Sequence, residues 1–68
     1  MSNIRKYRQK AGISQVEMAD QVGLASSAAL CNYEMGRRPT PVSVLKAIRD
    51  VLRKRGMKVT LDDLAKSA

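Results

Sequence analysis

Asn32, Ser27 and Ala28, followed closely by Arg37 and Arg38, are the residues of this sequence best suited to do chemistry, and that chemistry is recognition. An asparagine amide can bond adenine through two hydrogen bonds, a serine hydroxyl can bond several bases, and an alanine methyl can touch a thymine methyl. Arginines with no acid nearby suit phosphates, which position a protein on a duplex without selecting its sequence. No acid occurs between Glu34 and Asp50, so Arg37 and Arg38 have no local partner. Taken singly, the same letters also fit an ordinary helix surface and an idle basic loop. Catalysis fits poorly. The chain has no histidine, no paired carboxylates in a plausible cleft and no glycine-rich phosphate loop. Its one cysteine, Cys31, makes neither an internal disulfide nor a metal site of the usual spacing. No enzyme activity, cofactor, metal or small-molecule ligand is expected.

Charge points the same way. Thirteen Lys and Arg against six Asp and Glu leave +7, with a pI near 10.2, and a small chain so basic meets a polyanion, most commonly nucleic acid. A membrane is the competing polyanion, but no stretch combines an apolar face, a basic face and aromatic anchors. No run approaches the ~18 apolar residues of a spanning helix, and the N-terminus lacks the apolar core of a signal peptide. The expected location is the cytoplasm. Sixty-eight residues make one domain, 1–68, with a core too small for a deep substrate cavity.

The recognition residues lie in the stretch 14–39, read as two short helices joined by a glycine turn and closed by Gly-Arg-Arg-Pro. Ser14-x-x-Glu17 forms a capping box, apolar Val16, Met18, Ala19 and Val22 recur at helical spacing, and Gly23 stops the helix. Gln15 sits at that helix N-terminus, where exposed N–H groups and the dipole favour a phosphate. A second helix, about 27–35, starts at a cap on Ser26 or Ser27, turns Leu30 and Tyr33 inward and ends at Met35-Gly36. Two helices so tightly joined must cross steeply. The helix-turn-helix does this, and its second helix can lie in the major groove of DNA.

The remaining elements support that motif. Residues 3–11 form a helix capped by Ser2 or Asn3, with Ile4, Tyr7 and Ala11 inward and Arg5, Lys6 and Lys10 around them. Arg8 lies close to the apolar stripe, as a partly buried partner for a distant acid would. A longer helix is capped by Thr40, has Pro41 in its first turn and ends at Gly56. It carries Val44, Leu45, Ile48, Val51 and Leu52 on one face, with Lys46–Asp50 and Asp50–Lys54 as i,i+4 pairs on the other. Met57-Lys58-Val59 reads as a short extended piece, and Thr60-x-x-Asp63 caps a last helix holding Leu61 and Leu64. The expected fold class is all-α.

Tyr7-Arg8, Gly12-Ile13-Ser14-Gln15, Met18-Ala19, Gly23 and Tyr33-Glu34-x-Gly36-Arg37-x-Pro39 together resemble the Cro/CI (Xre-type) helix-turn-helix family over residues 4 to about 52. The resemblance implies a compact five-helix bundle of the lambda-repressor type that binds double-stranded DNA as a homodimer. It assigns a buried ion pair to Arg8 and Glu34, phosphate contact to Gln15, and base reading to positions near Ser27, Ala28 and Asn32. It also implies a repressor on an inverted-repeat operator, autoregulatory and of phage or mobile-element type, Cro-like or anti-CRISPR-associated. The alternatives are a restriction-modification controller, an antitoxin or another protein-interaction subunit. Two departures stand out. One extra residue lies between Leu24 and Leu30, which lets Ser27 and Ala28 slip by one, and residues 53–58 enlarge the link to the last helix.

The C-terminal third carries more apolar surface than a short tail needs. Leu52, Met57, Val59, Leu61 and Leu64 are therefore expected to form a two-fold interface, with 53–66 as the dimerisation segment. The competing arrangement folds residues 57–64 back over their own protomer.

Overall fold

Helix ends set the architecture. In a computed structural model of the protein, residues 3–65 are described, and they form α1 (Asn3–Lys10), α2 (Gln15–Val22), α3 (Ser27–Glu34), α4 (Val42–Lys54) and α5 (Leu61–Ala65). Ser2, a possible cap of α1, and the last residue of the 53–66 segment lie outside the described residues. The four glycines follow the four longer helices, with φ between +71° and +85°. At Gly23 the reversal also closes two bonds: Gly23 N donates to Ala19 O at 3.0 Å, and Leu24 N reaches the same carbonyl at 2.9 Å. The Ala19 carbonyl thus accepts twice, Gly23 N also lies 3.2 Å from Asp20 O, and the chain turns at once toward α3.

The starts are less uniform. At α2 the Ser14 hydroxyl accepts from Glu17 N at 3.1 Å, but the Glu17 side chain points elsewhere, so only half of the capping box forms. At α5 the box is complete: Asp63 N donates to Thr60 Oγ1 (3.2 Å) and Thr60 N donates to Asp63 Oδ2 (3.0 Å). For α4 the expected cap shifts by one residue. Pro41, with φ −59° and ψ 148°, is itself the N-cap, and its carbonyl accepts from Leu45 N at 3.0 Å. Its extended ψ keeps it out of the helix, so Val42 rather than Pro41 is the first helical residue and Thr40 stands outside.

Packing centres on α4, which touches α1, α2 and α5, while α2 lies against α3 and α1 against α5. Leu45, Ile48, Val51 and Leu52 meet Ile4, Ile13, Met18, Ala19 and Leu30 in one core. The apolar pattern of α2 is narrower than its sequence suggests. Met18 and Ala19 are buried, but Val16 is 69% exposed, because an eight-residue helix turns only one side to its neighbours. In α3 the inward stripe is Leu30 and Glu34, four residues apart, and Tyr33 is half-buried beside it. Asp50 pairs with its neighbour Arg49 at 3.3 Å rather than with Lys46 or Lys54.

Residues 57–60 form no strand. They run as irregular chain, held by Met57 N to Leu52 O (3.1 Å) and Arg53 Nε to Val59 O (3.3 Å). Val59 and Leu64 fold back with Leu52 into the protomer's own core, each at most 2% exposed, and Asn3 Nδ2 ties α1 to α5 through Asp63 O at 2.8 Å. These three residues are therefore corrected from interface to core: a protomer of this size cannot surrender them to a partner and stay packed. Met57 and Leu61 are only half-buried.

A Cβ at Gly23 would meet no atom within 4 Å, so Gly23→Ala tests backbone strain alone. The substitution should destabilise the fold by about 1–2 kcal/mol and lower the melting temperature by roughly 4–8 °C per kcal/mol. An unchanged thermal melt would show that the left-handed turn is not needed.

Candidate nucleic-acid interface

Arg8 and Glu34 come from helices that are not sequence neighbours, and their side chains meet beneath α3. Arg8 Nε donates to Glu34 Oε2 at 2.7 Å and Arg8 Nη2 to Oε1 at 3.2 Å, a two-pronged bond matched to the planar guanidinium. Arg8 Nη1 donates to Ile13 O at 2.8 Å, and Gln15 Nε2 donates to Glu34 Oε1 at 3.0 Å. One buried network thus joins α1, the α1–α2 turn, the first residue of α2 and the end of α3. Glu34 is 1% exposed and Arg8 8%. Among the described residues no buried side-chain nitrogen or oxygen lacks a hydrogen bond, so the burial of two charges is fully compensated.

The partner of Gln15 changes how that residue reads. The sequence places it at a helix N-terminus for a phosphate; in the structure its amide is first oriented by Glu34. A second N–H and the carbonyl remain on the same half-buried amide, now held in one direction.

On α3 the extra residue is absorbed in the turn, since Gly23 to Ser26 precede the helix and Ser26 is its extended N-cap. With helix start at Ser27, steps of about 100° per residue put Ala28, Asn32 and Met35 on one stripe, with Cys31 beside it. Leu30 and Glu34 occupy the opposite side. Ala28 is exposed, and Asn32 and Cys31 are half-buried. Ser27, also half-buried, lies about a quarter-turn from Ala28, at the edge of the stripe. Met35, 45% exposed, extends the stripe by an apolar side chain that the sequence pattern assigns only to the helix end. Its spacing from Asn32 was the available signal.

Arg37 and Arg38 follow directly. The backbone of Arg37 donates to Asn32 O at 3.0 Å, which locks the loop to the end of α3. Both side chains are exposed and carry no partner among the described residues. On α1, Lys6 and Lys10 both lie 5.9 Å from the centre of the Tyr7 ring, and so sit on an aromatic face rather than an acid. Among the described residues no helix is long and apolar enough to cross a membrane.

A family model described as helix-turn-helix matches residues 4–56, from the first turn of α1 through the glycine after α4. No curated protein and no solved structure matches the chain.

Because Glu34 is enclosed, Glu34→Ala or Arg8→Ala should strand a charge at a cost of about 3–5 kcal/mol. A chain of this length has roughly 3–10 kcal/mol in all, so either variant should lose from about a third to all of the fold's stability. The double replacement Arg8→Met, Glu34→Leu should cost much less than either single change. Urea and thermal unfolding of the three variants measure this; wild-type stability of Glu34→Ala would contradict the network.

Proposed function

The chain belongs to the Cro/CI-type helix-turn-helix family, a family of DNA-binding regulators, and from that premise we propose that it is a sequence-specific repressor acting as a homodimer on an inverted-repeat operator. The observation that supports this most is the uncharged stripe of α3 ending at two unpartnered arginines. A major groove lined by base edges is met best by short neutral side chains, and its walls by cations. In this reading Asn32 and Ala28, with Ser27 at the margin, select bases, and Gln15, Arg37 and Arg38 hold phosphates. Residues 1–68 act as one DNA-binding domain.

Repression follows from occupancy. Two copies of α3 enter successive major grooves about 34–36 Å apart on one face of the duplex. Joining two half-sites makes the second contact effectively intramolecular, which raises the affinity of a domain with so few base-reading residues. Met57 and Leu61, half-buried at the C-terminal end, supply the apolar part of the two-fold contact. We place its operator beside its own coding sequence, as in the autoregulated repressors of phages and mobile elements. Footprinting of the purified protein on that DNA tests the assignment, and absence of any protected palindrome would favour a protein-interaction role such as an antitoxin.

Arg37→Ala and Arg38→Ala should weaken binding to operator and random duplex alike, each lowering the salt slope by about one per protomer, or about two for the bound dimer. Asn32→Ala should lose roughly 1–3 kcal/mol per half-site on the operator and little on random DNA. Equal losses on both would remove Asn32 from the reading set. For the dimer, Met57→Asp with Leu61→Asp should give a folded monomer in sedimentation that retains only weak half-site binding. A dimer that survives both substitutions would move the interface to another face; Val59→Asp is unsuitable because Val59 is in the core.

A further inference from the structure

Glu17 stands in the first turn of α2, two residues after Gln15, at the helix end proposed above to meet a phosphate. An acid there suits the helix dipole in the free protein. It opposes the approach of a phosphate, because both groups are anions and the water that screens them is displaced as DNA docks. A closed capping box would hold the Glu17 carboxylate back over Ser14 N, nearest to the incoming anion.

The observed side chain goes the other way. Glu17 Oε1 accepts from Gln21 Nε2, one turn further along α2 at 3.2 Å, and from Arg55 Nη2, 38 positions away in sequence. Arg55 is held where it can do this. It is the C-cap of α4, its N–H donates to Leu52 O at 3.0 Å, and Gly56 turns the chain away behind it. The neighbouring cations do not reach Glu17. Arg53 donates to Val59 O, and Lys54 and Lys58 are exposed without an acid partner among the described residues. The two partners are about equally open to solvent, with side chains 39% and 43% exposed, so the pair contributes little to stability. What the pair fixes is the direction of the Glu17 carboxylate, along α2 toward Gln21 and the end of α4.

We infer that Arg55 is a positioning residue for DNA binding: it neutralises Glu17 and keeps the carboxylate off the N-terminus of α2, so that a backbone phosphate can dock there. This rests on the reading of the α2 N-terminus and Gln15 as a phosphate contact. Arg55 itself touches no DNA. Its effect passes through Glu17, and without Glu17 it has none.

The test uses the full chain and a random-sequence duplex, with affinity measured by fluorescence anisotropy over a range of salt concentrations. Arg55→Gln should weaken binding about five- to tenfold, by a similar factor across the salt range, because no phosphate contact is lost and the salt slope stays close to that of the wild type. Lys54→Gln, the same charge change on the same turn, should weaken it distinctly less. Glu17→Gln alone should bind at least as tightly as wild type, and Glu17→Gln with Arg55→Gln should recover wild-type affinity. A loss in Arg55→Gln that the double variant fails to restore, with a slope lower by about one per protomer, would overturn the inference in favour of direct phosphate contact. An Arg55→Gln protein indistinguishable from wild type or from Lys54→Gln would overturn it as well. Failure of the wild-type protein to bind any duplex would instead remove the proposed function on which the inference stands.

Discussion

The paired bonds between Arg8 and Glu34 are the constraint on which the rest of the molecule depends. Two opposite charges lie almost completely out of water, and every hydrogen-bonding direction that matters is filled: carboxylate to guanidinium twice, guanidinium to the Ile13 carbonyl, and Gln15 amide to carboxylate. Such a pair adds less net stability than an apolar pair of the same volume would, because removing two ions from water is costly. What it adds is geometry. A planar guanidinium accepts a carboxylate in few orientations, so α3 is fixed in rotation and height relative to α1. The stripe carrying Ala28 and Asn32 faces outward because Glu34, on the other side of the same two turns, is tied inward.

The apolar core could not fix that orientation alone. Only Leu30 anchors α3 among its buried apolar side chains, and the helix is eight residues long. One apolar contact leaves a short helix free to roll. The ion pair adds a second, directional point, and the bond from Gln15 Nε2 to Glu34 Oε1 ties the same end of α3 to α2. The α4 helix plays the complementary part, offering a continuous apolar face on which α1, α2 and α5 rest.

The positive charge of the chain is divided by structure into different uses. Arg8 is held inside the fold, Arg49 and Arg55 pair with exposed acids, Lys6 and Lys10 lie against the Tyr7 ring, and Arg53 bonds a backbone carbonyl. Arg37 and Arg38 remain open beside α3. A net charge spread evenly would attract any polyanion; this distribution concentrates the uncommitted arginines at the end of the helix proposed to read bases.

What the sequence determined by itself was local. Glycine stops, the serine start of α2, the Thr60–Asp63 box and the apolar face of α4 each depend on residues within one or two turns, and the periodicity of side chains encodes them directly. The all-helical fold followed from those pieces, and the family resemblance supplied the pairing of Arg8 with Glu34. Only the tertiary structure decided which apolar residues were buried inside the protomer. Leu52, Val59 and Leu64 could equally have faced a second copy until the chain reversal after Gly56 laid them together, and Val16 had the right spacing yet found no neighbour. It also decided the partners of Gln15 and Glu17, which lie 19 and 38 residues away. Helical spacing says which side chains share a face, but what that face meets is set by packing between distant segments, where competing partners differ by less than the spacing can reveal.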